Sequence, residues 1–221
     1  LSEEVSAIVE EYLEAIYKLQ EKGGTAKTSD IVKMLQVAAG TVTNTVERLE
    51  KWGYVTHEPY RGVKLTDMGR RLALEVIRKH RLSERLLTDI LHMKWDRVHE
   101  AACKLEHGIT EEIIKPLEKV LKHPKTCPHG NPIPTKCGGI TEEESQSLSD
   151  LEEAEQGIIV KITEEESELL RYLENLGLVP GASVTILEKA PFNGPITIKV
   201  KTVVHAISPT VASVIQVKRT K

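Results

Sequence analysis

The sequence predicts a mainly α-helical chain that ends in a small β-barrel, and three observations predict it. Helical apolar stripes dominate the first half of the 221 residues. A helix, a tight connection, a second helix and a hairpin follow one another between Thr28 and Leu65. After Gln156 the texture changes to short β-branched runs with partial alternation. The chain divides on this pattern into residues 1–74, a winged helix-turn-helix; 75–140, a helical part; and 141–221, an acidic linker with the barrel.

The opening run VSAIVEEYLEAIYKLQEKGG has apolar residues at 5, 8, 9, 12, 13, 16, 17 and 19, a helical stripe that Gly23-Gly24 stops. KTSDIVKMLQV is a short helix with Thr28 or Ser29 as N-cap. After AAG comes TVTNTVERLEKWG, a second helix with Thr41, Thr43 and Asn44 in its first turn and Gly53 closing its end. Its back face, Val42, Val46 and Leu49, is apolar and can pack inward. YVTHEPYRGVKLT reads as two strands around a Pro59/Gly62 turn with Arg61 at the tip. Small polar groups at the start of a second helix suit base edges in a major groove, and Tyr60, Arg61 and Lys64 suit phosphates. Winged helices also bind proteins, so DNA and protein both stand as partners at this point.

Residues 67–93 form one long helical pattern, whose Leu72, Val76, Leu82, Leu86, Leu87, Ile90 and Leu91 would project beyond a small winged domain as a dimer interface. Helices over 95–107 and 110–122 follow, the latter capped by Thr110. HPKTCPHGNPIP, with four prolines, breaks all helical periodicity. TEEESQSLSDLEEAE reads as an acidic linker or a solvated edge. GIIVKI, SVTILEK, PITIKV and SVIQVKR are the strands of a barrel of about 70 residues, with a helical insert in EEESELLRYLENLG. The single Phe of the chain requires an aliphatic core there.

Net charge is −3, which excludes an indiscriminate nucleic-acid binder. Yet residues 27–72 carry eight Lys or Arg against five acids, and residues 141–155 carry seven acids and no base. Three irregularly spaced cysteines argue against a disulfide framework. No apolar run approaches a membrane span, and the acidic amphipathic start is unlike a signal peptide. The expectation is a cytoplasmic protein with no membrane partner and no small-molecule substrate.

VHEAACKLEHG places His99, Cys103, Glu106 and His107 on roughly 100° of one helix face. His80 and Glu84 form a second pair four apart on the preceding helix. Imidazole, thiolate and carboxylate on consecutive helices describe a transition-metal site. Taken singly, a buried Cys is a small hydrophobe and a His–Glu pair a solvated helix contact. A metal hydrolase is the rival, but no H-E-x-x-H occurs. Cys103 with His107 makes a poor nucleophile pair, because helical side chains tilt together toward the N-terminus. Cys127, His129 and Cys137 could form a zinc loop, although the tight C-x-x-C knuckle is missing.

IRKHRLSERLLTDIL, VHEAACKLEH and PHGNPIP together resemble the diphtheria-toxin-repressor family of iron- and manganese-dependent transcriptional regulators, over nearly the whole chain. The resemblance implies a winged helix-turn-helix, a helical dimerisation and metal-binding domain, and a C-terminal SH3-like (FeoA-like) barrel. It implies no enzyme, but a repressor that binds double-stranded operator DNA as a homodimer when loaded with metal. The alternative is a metal-dependent enzyme or metal-storage module with an incidental winged helix. Carried over residue by residue, an ancillary metal site falls on His80, Glu84 and His99. A primary site falls on Cys103, Glu106, His107 and Glu11. The iron branch has Met where this chain has Glu11, and the manganese branch has an acid there, a second acid matched by Glu14, and an acid in place of Cys103. Fe(II) is the expected ion and Mn(II) the alternative, with Co, Ni and Zn substituting in vitro. The barrel's acid and amide fall on Glu166 and Leu169, with Glu165 or Glu168 as substitutes. The DNA-reading positions fall on Thr41, Thr43 and Asn44, with Arg48 and Lys27 on phosphates, and the family's proline before Thr41 is Gly40.

Overall fold

The computed structural model describes residues 6–58 and 61–220. These form two compact units. One holds the chain up to Lys79 together with Pro134–Gly139, and the other holds His80–Ile133 and the residues from Ile140 onward.

In the first unit, helix α1 (Ala7–Gly23) packs on α2 (Thr28–Leu35), and α2 on α3 (Ala39–Lys51). The stripe predicted for α1 is its core face: Val9, Tyr12, Leu13, Ile16 and Tyr17 are buried. Gly24 ends the helix at φ 74° and returns its N–H to Gln20 O. Two boundaries differ from expectation. Lys27, not Thr28 or Ser29, is the N-cap of α2, and α3 begins two residues early, at Ala39. The N-terminal orphan groups of α3 need no side-chain cap because they face outward at exposed positions. Val42, Val46 and Leu49 are buried as the pattern required. Strands β1 (Val55–Glu58) and β2 (Gly62–Leu65) pair antiparallel as the wing. Ala26 joins its edge by a bridge to Val63.

Helix α4 (Asp67–Arg85) starts in the first unit and supplies its last turns, from His80, to the second. The long pattern expected to Met93 is α-helical only to Arg85; Leu86–Ile90 widen into a π turn. Helix α5 (Val98–Leu105) runs into a 3₁₀ turn, Glu106–Gly108, and α6 (Glu111–Val120) follows with Thr110 at its N-cap. A six-stranded antiparallel sheet completes the second unit. Its order is β3 (Gln146–Ser147), β8 (Ile215–Thr220), β4 (Gln156–Ile162), β5 (Ser183–Lys189), β6 (Ile196–Val200), β7 (Val203–Ile207). Strand β7 was not foreseen: VVHAI is short and lies at the sheet edge, with Val203 and Val204 exposed. Helix α7 (Ser167–Asn175) is the predicted insert, and α8 (Pro209–Ser213) is a single turn. The sheet core is aliphatic, as one Phe dictates: Ile159, Ile162, Ile186, Ile198 and Val217 are buried, while Phe192 is fully exposed. Trp95 packs on this core, and Arg171 reaches buried Asp96 at 2.9 Å, so the sheet is anchored to the helical segment before α5.

Candidate metal centre and nucleic-acid face

Four parts of the second unit converge on one buried point. His80 and Glu84 stand a turn apart on α4, and both are buried. Helix α5 brings His99 and Cys103, again a turn apart. The segment after α6 brings Cys127 and His129. The loop before α7 brings Glu165.

Local chemistry explains each placement. Arg85 Nε donates to Thr126 O at 2.7 Å and the Arg81 guanidinium donates to Pro132 O, so α4 grips both ends of the proline-rich segment. Between them Cys127 N donates to Asn131 O and Gly130 N to Cys127 O, closing a tight turn. Gly130 sits at φ +89°, and a Cβ there would lie 2.0 Å from Val160 O. Only glycine allows the turn to lie against β4. Asn131, buried, donates to Glu165 Oε1 at 2.7 Å and to Ile162 O at 3.0 Å, which fixes the carboxylate.

Three overlapping sets of ligand atoms result, each within 4.8 Å: His80, His99 and Cys103; His80, Glu84, His99 and Glu165; and Glu84, Cys127, His129 and Glu165. His80 Nε2 lies 3.2 Å from Glu84 Oε1 and 3.1 Å from His99 Nδ1. His99 Nδ1 lies 2.9 Å from Glu165 Oε2. Cys103 Sγ lies 3.8 Å from His99 Nε2 and 4.0 Å from His80 Nδ1. His80 Nδ1 meets Glu106 Oε2 at 2.5 Å.

The electrostatics follow from burying carboxylates together. Burial disfavours charge on the His80 ring, yet hydrogen bonds with Cys103, Glu106 and Glu84 hold its pKa well above the ordinary histidine value. Burial likewise opposes charge on His99, but Cys103, Glu165 and Glu84 raise it to about 11. Burial would raise the Glu84 carboxyl, and the His129, His80 and His99 rings beside it pull it well below its usual range. Glu165 is raised by burial and by Glu84, and lowered by more through His99 and His129, to about 2. The Cys103 thiol, raised by burial and lowered by both histidines, falls to about 7. Cys127 goes the other way: burial and the charges of Glu84 and Glu165 keep it a thiol.

The donor set fits a divalent transition metal. His129 Nε2 lies 3.1 Å from Trp95 O and donates to it, which leaves Nδ1 as the lone-pair nitrogen, 3.2 Å from Glu84 Oε1. His129 Nδ1 and Glu84 Oε2 are buried without a hydrogen-bond partner. Unsatisfied buried donors and acceptors of this kind call for a cation.

Several expected ligands fall elsewhere. Glu166 is the exposed N-cap of α7, and its neighbour Glu165 takes the carboxylate position. Leu169 packs on the sheet core, and the amide beside the acid is that of Asn131. Glu106 is buried against His80, and His107 stands half-buried with Nε2 3.4 Å from Glu106 Oε1; neither joins one of the three sets. Glu11 lies on the exposed face of α1 in the first unit. Of the residues of the candidate zinc loop, Cys127 and His129 join Glu84 and Glu165, while Cys137 is exposed and belongs to the first unit. Cys127 and His129 carried a visible signal, two donors in a proline-locked turn. Their partners lie far away in the chain, so spacing alone did not select them.

On the first unit, Thr41, Thr43, Asn44 and Arg48 of α3 are exposed, as are Lys27, Arg61 and Lys64. Thr43 turns its hydroxyl back onto Ala39 O at 3.1 Å, and Arg61 leans toward Glu58 at 3.4 Å. Tyr60 lies outside the described residues.

A winged helix-turn-helix joined to a buried histidine–carboxylate–thiol centre defines the class of metal-responsive DNA-binding regulators. Three family models match the chain in turn: "Iron dependent repressor, N-terminal DNA binding domain" over residues 4–63, "Iron dependent repressor, metal binding and dimerisation domain" over 66–135, and "FeoA domain" over 146–219. The chain belongs to the iron-dependent repressor family, a family of transcriptional repressors and not of enzymes. It is 38% identical to the iron-dependent repressor IdeR of Mycobacterium tuberculosis over 197 residues, 84% of this chain and 85% of that one. It is 45% identical to the diphtheria toxin repressor of Corynebacterium diphtheriae over 125 residues, 57% of this chain and 55% of that one. Among solved structures, a manganese-dependent transcriptional repressor in complex with manganese superposes with TM-score 0.88 at 27% identity, over 96% of this chain and all of that one. IdeR of T. acidophilum superposes with TM-score 0.81 at 30% identity, over 96% and 97%.

Proposed function

We propose that this protein is a transcriptional repressor that binds operator DNA as a homodimer when its metal centre is loaded with Fe(II), with Mn(II) as the alternative. The observation that carries the reading is the buried meeting of Glu84, Cys127, His129 and Glu165 beside His80, His99 and Cys103, with two buried ligand atoms left unpartnered. A bound divalent ion would supply the positive charge that this carboxylate-rich centre lacks.

The chain's own residues do the rest. His80 and His99 hold protons among the carboxylates and release them to become ligands. Cys103, with its lowered pKa, offers a thiolate near neutral pH. Soft sulfur and imidazole favour Fe(II) over Mn(II), while Glu84 and Glu165 keep the harder ion within reach. Glu11, Glu106 and His107 are proposed as further ligands on the family resemblance. On the first unit Thr41, Thr43 and Asn44 are proposed to read base edges, and Lys27, Arg48, Arg61 and Lys64 to meet the backbone, with Tyr60 beside them on sequence grounds. The exposed Ile90, Leu91, Ile113 and Val120 suit the dimer contact. Among the described residues no helix is long and apolar enough to cross a membrane.

An electrophoretic shift tests the reading on a duplex selected from random-sequence DNA by Fe(II)- or Mn(II)-loaded protein. The metal-loaded chain should retard the duplex and Glu84→Gln should not. Equal retardation by both proteins, with and without metal, would reject it.

A further inference from the structure

The exposed stripe of helix α3 continues beyond its first turn. Thr41, Asn44 and Arg48 follow at helical spacing on one face, and Trp52, at the C-cap, continues it. The Arg48 guanidinium carbon lies 4.9 Å from the centroid of the Trp52 ring. Trp52 is 45% exposed, unusual for so large an apolar side chain with no core to fill. Its ring also makes an edge contact with Tyr54, centroids 6.3 Å apart at 66°. Its backbone N–H donates to Arg48 O at 3.0 Å and the next, that of Gly53, to Glu50 O at 2.9 Å, so the ring leaves a well-held position.

The acids nearby do not compete for the cation. Glu50 Oε1 accepts the His57 backbone N–H at 2.9 Å. Among the described residues Arg48 pairs with no carboxylate. An aromatic face holds a guanidinium without using its N–H donors, whereas a carboxylate would consume them. Arg48 is thus restrained and still has its donors free for an anion.

We propose that Trp52 is a positioning residue for DNA binding, its indole face holding the Arg48 guanidinium ready for a backbone phosphate. The proposal rests on the DNA-binding reading above. Without the ring, Arg48 would keep its charge and lose its orientation, so the contact would weaken without disappearing.

The test uses the full chain loaded with Mn(II), the selected duplex described above, and affinity measured across a range of salt. Arg48→Ala should reduce the slope of log affinity against log salt by about one. Trp52→Ala should weaken binding about two- to five-fold, the range of an exposed cation–π contact. Trp52→Phe should recover most of that loss, and Trp52→Ala should have no further effect in the Arg48→Ala background. The thermal midpoint of Trp52→Ala should match the parent, which separates positioning from folding. Unchanged affinity in Trp52→Ala, or the same drop with Arg48 already removed, would overturn the proposal while leaving DNA binding intact. If the unmodified protein selects and binds no duplex, the DNA-binding reading falls and takes this inference with it.

Discussion

Glu84 and Glu165 are the residues on which the centre turns, because they are the two that share one donor set with His80 and His99 and another with Cys127 and His129. The one-residue difference between Glu165 and Glu166 is a sharp check on that geometry. Glu165→Gln should weaken metal binding at least about tenfold, in the range of disturbed ligand shells, and Glu166→Gln should leave it unchanged. Calorimetric titration with Mn(II) reads both; the reverse order would mean that the loop before α7 sits in another register. The histidines make a second prediction. His80 and His99 have strongly raised pKa values, so near neutral pH these metal-free rings carry protons. Ligation needs the bare nitrogen, so loading must expel protons and apparent affinity must rise with pH. Titrations in buffers of different ionisation enthalpy should show net proton release; none would mean that the rings do not ligate. At this scale the sequence displayed His80, Glu84, His99 and Cys103 plainly, since helical spacing alone sets their shared face. It put the barrel's acid on Glu166 with Glu165 or Glu168 as substitutes, because that loop has no periodicity to count along.

Among the elements, the turn after α6 has the least freedom. It is clasped by Arg81 and Arg85 and pressed onto β4 at Gly130. Gly130→Ala should destabilise the protein by more than about 1 kcal/mol, since it meets both a positive φ and a backbone oxygen. Thermal unfolding of the metal-free protein measures this, and an unchanged midpoint would contradict the packing described. Gly40 is the opposite case. It lies in the first turn of α3, and a Cβ there would meet nothing within 4 Å. Gly40→Ala should therefore stabilise by roughly 0.5–1 kcal/mol, raising the same midpoint. Helices and wing were legible because burial imprints a period on them. The π turn at Leu86–Ile90 was not, because its residues keep an apolar pattern compatible with an ordinary helix. Strand β7 escaped notice because an edge strand buries little and so shows little alternation.

For the whole molecule, the pattern marked a winged helix-turn-helix, a helical middle and a β-rich end, while the three family models match residues 4–63, 66–135 and 146–219. Compactness divides the chain differently, grouping the sheet with His80–Ile133. That grouping has a chemical reason: Trp95, Asp96 and Asn131 hold the sheet so that its Glu165 enters the donor cluster of α4 and α5. Long-range partnerships of this sort cannot be counted off along a sequence. The proposed repressor couples this centre to DNA, and coupling between two sites is reciprocal. The most direct test is a pair of Mn(II) titrations of the full chain, one alone and one saturated with its selected duplex. The duplex should tighten metal binding by the same factor by which metal tightens duplex binding, on the order of 5- to 150-fold. Identical metal affinity with and without the duplex would contradict metal control of DNA binding.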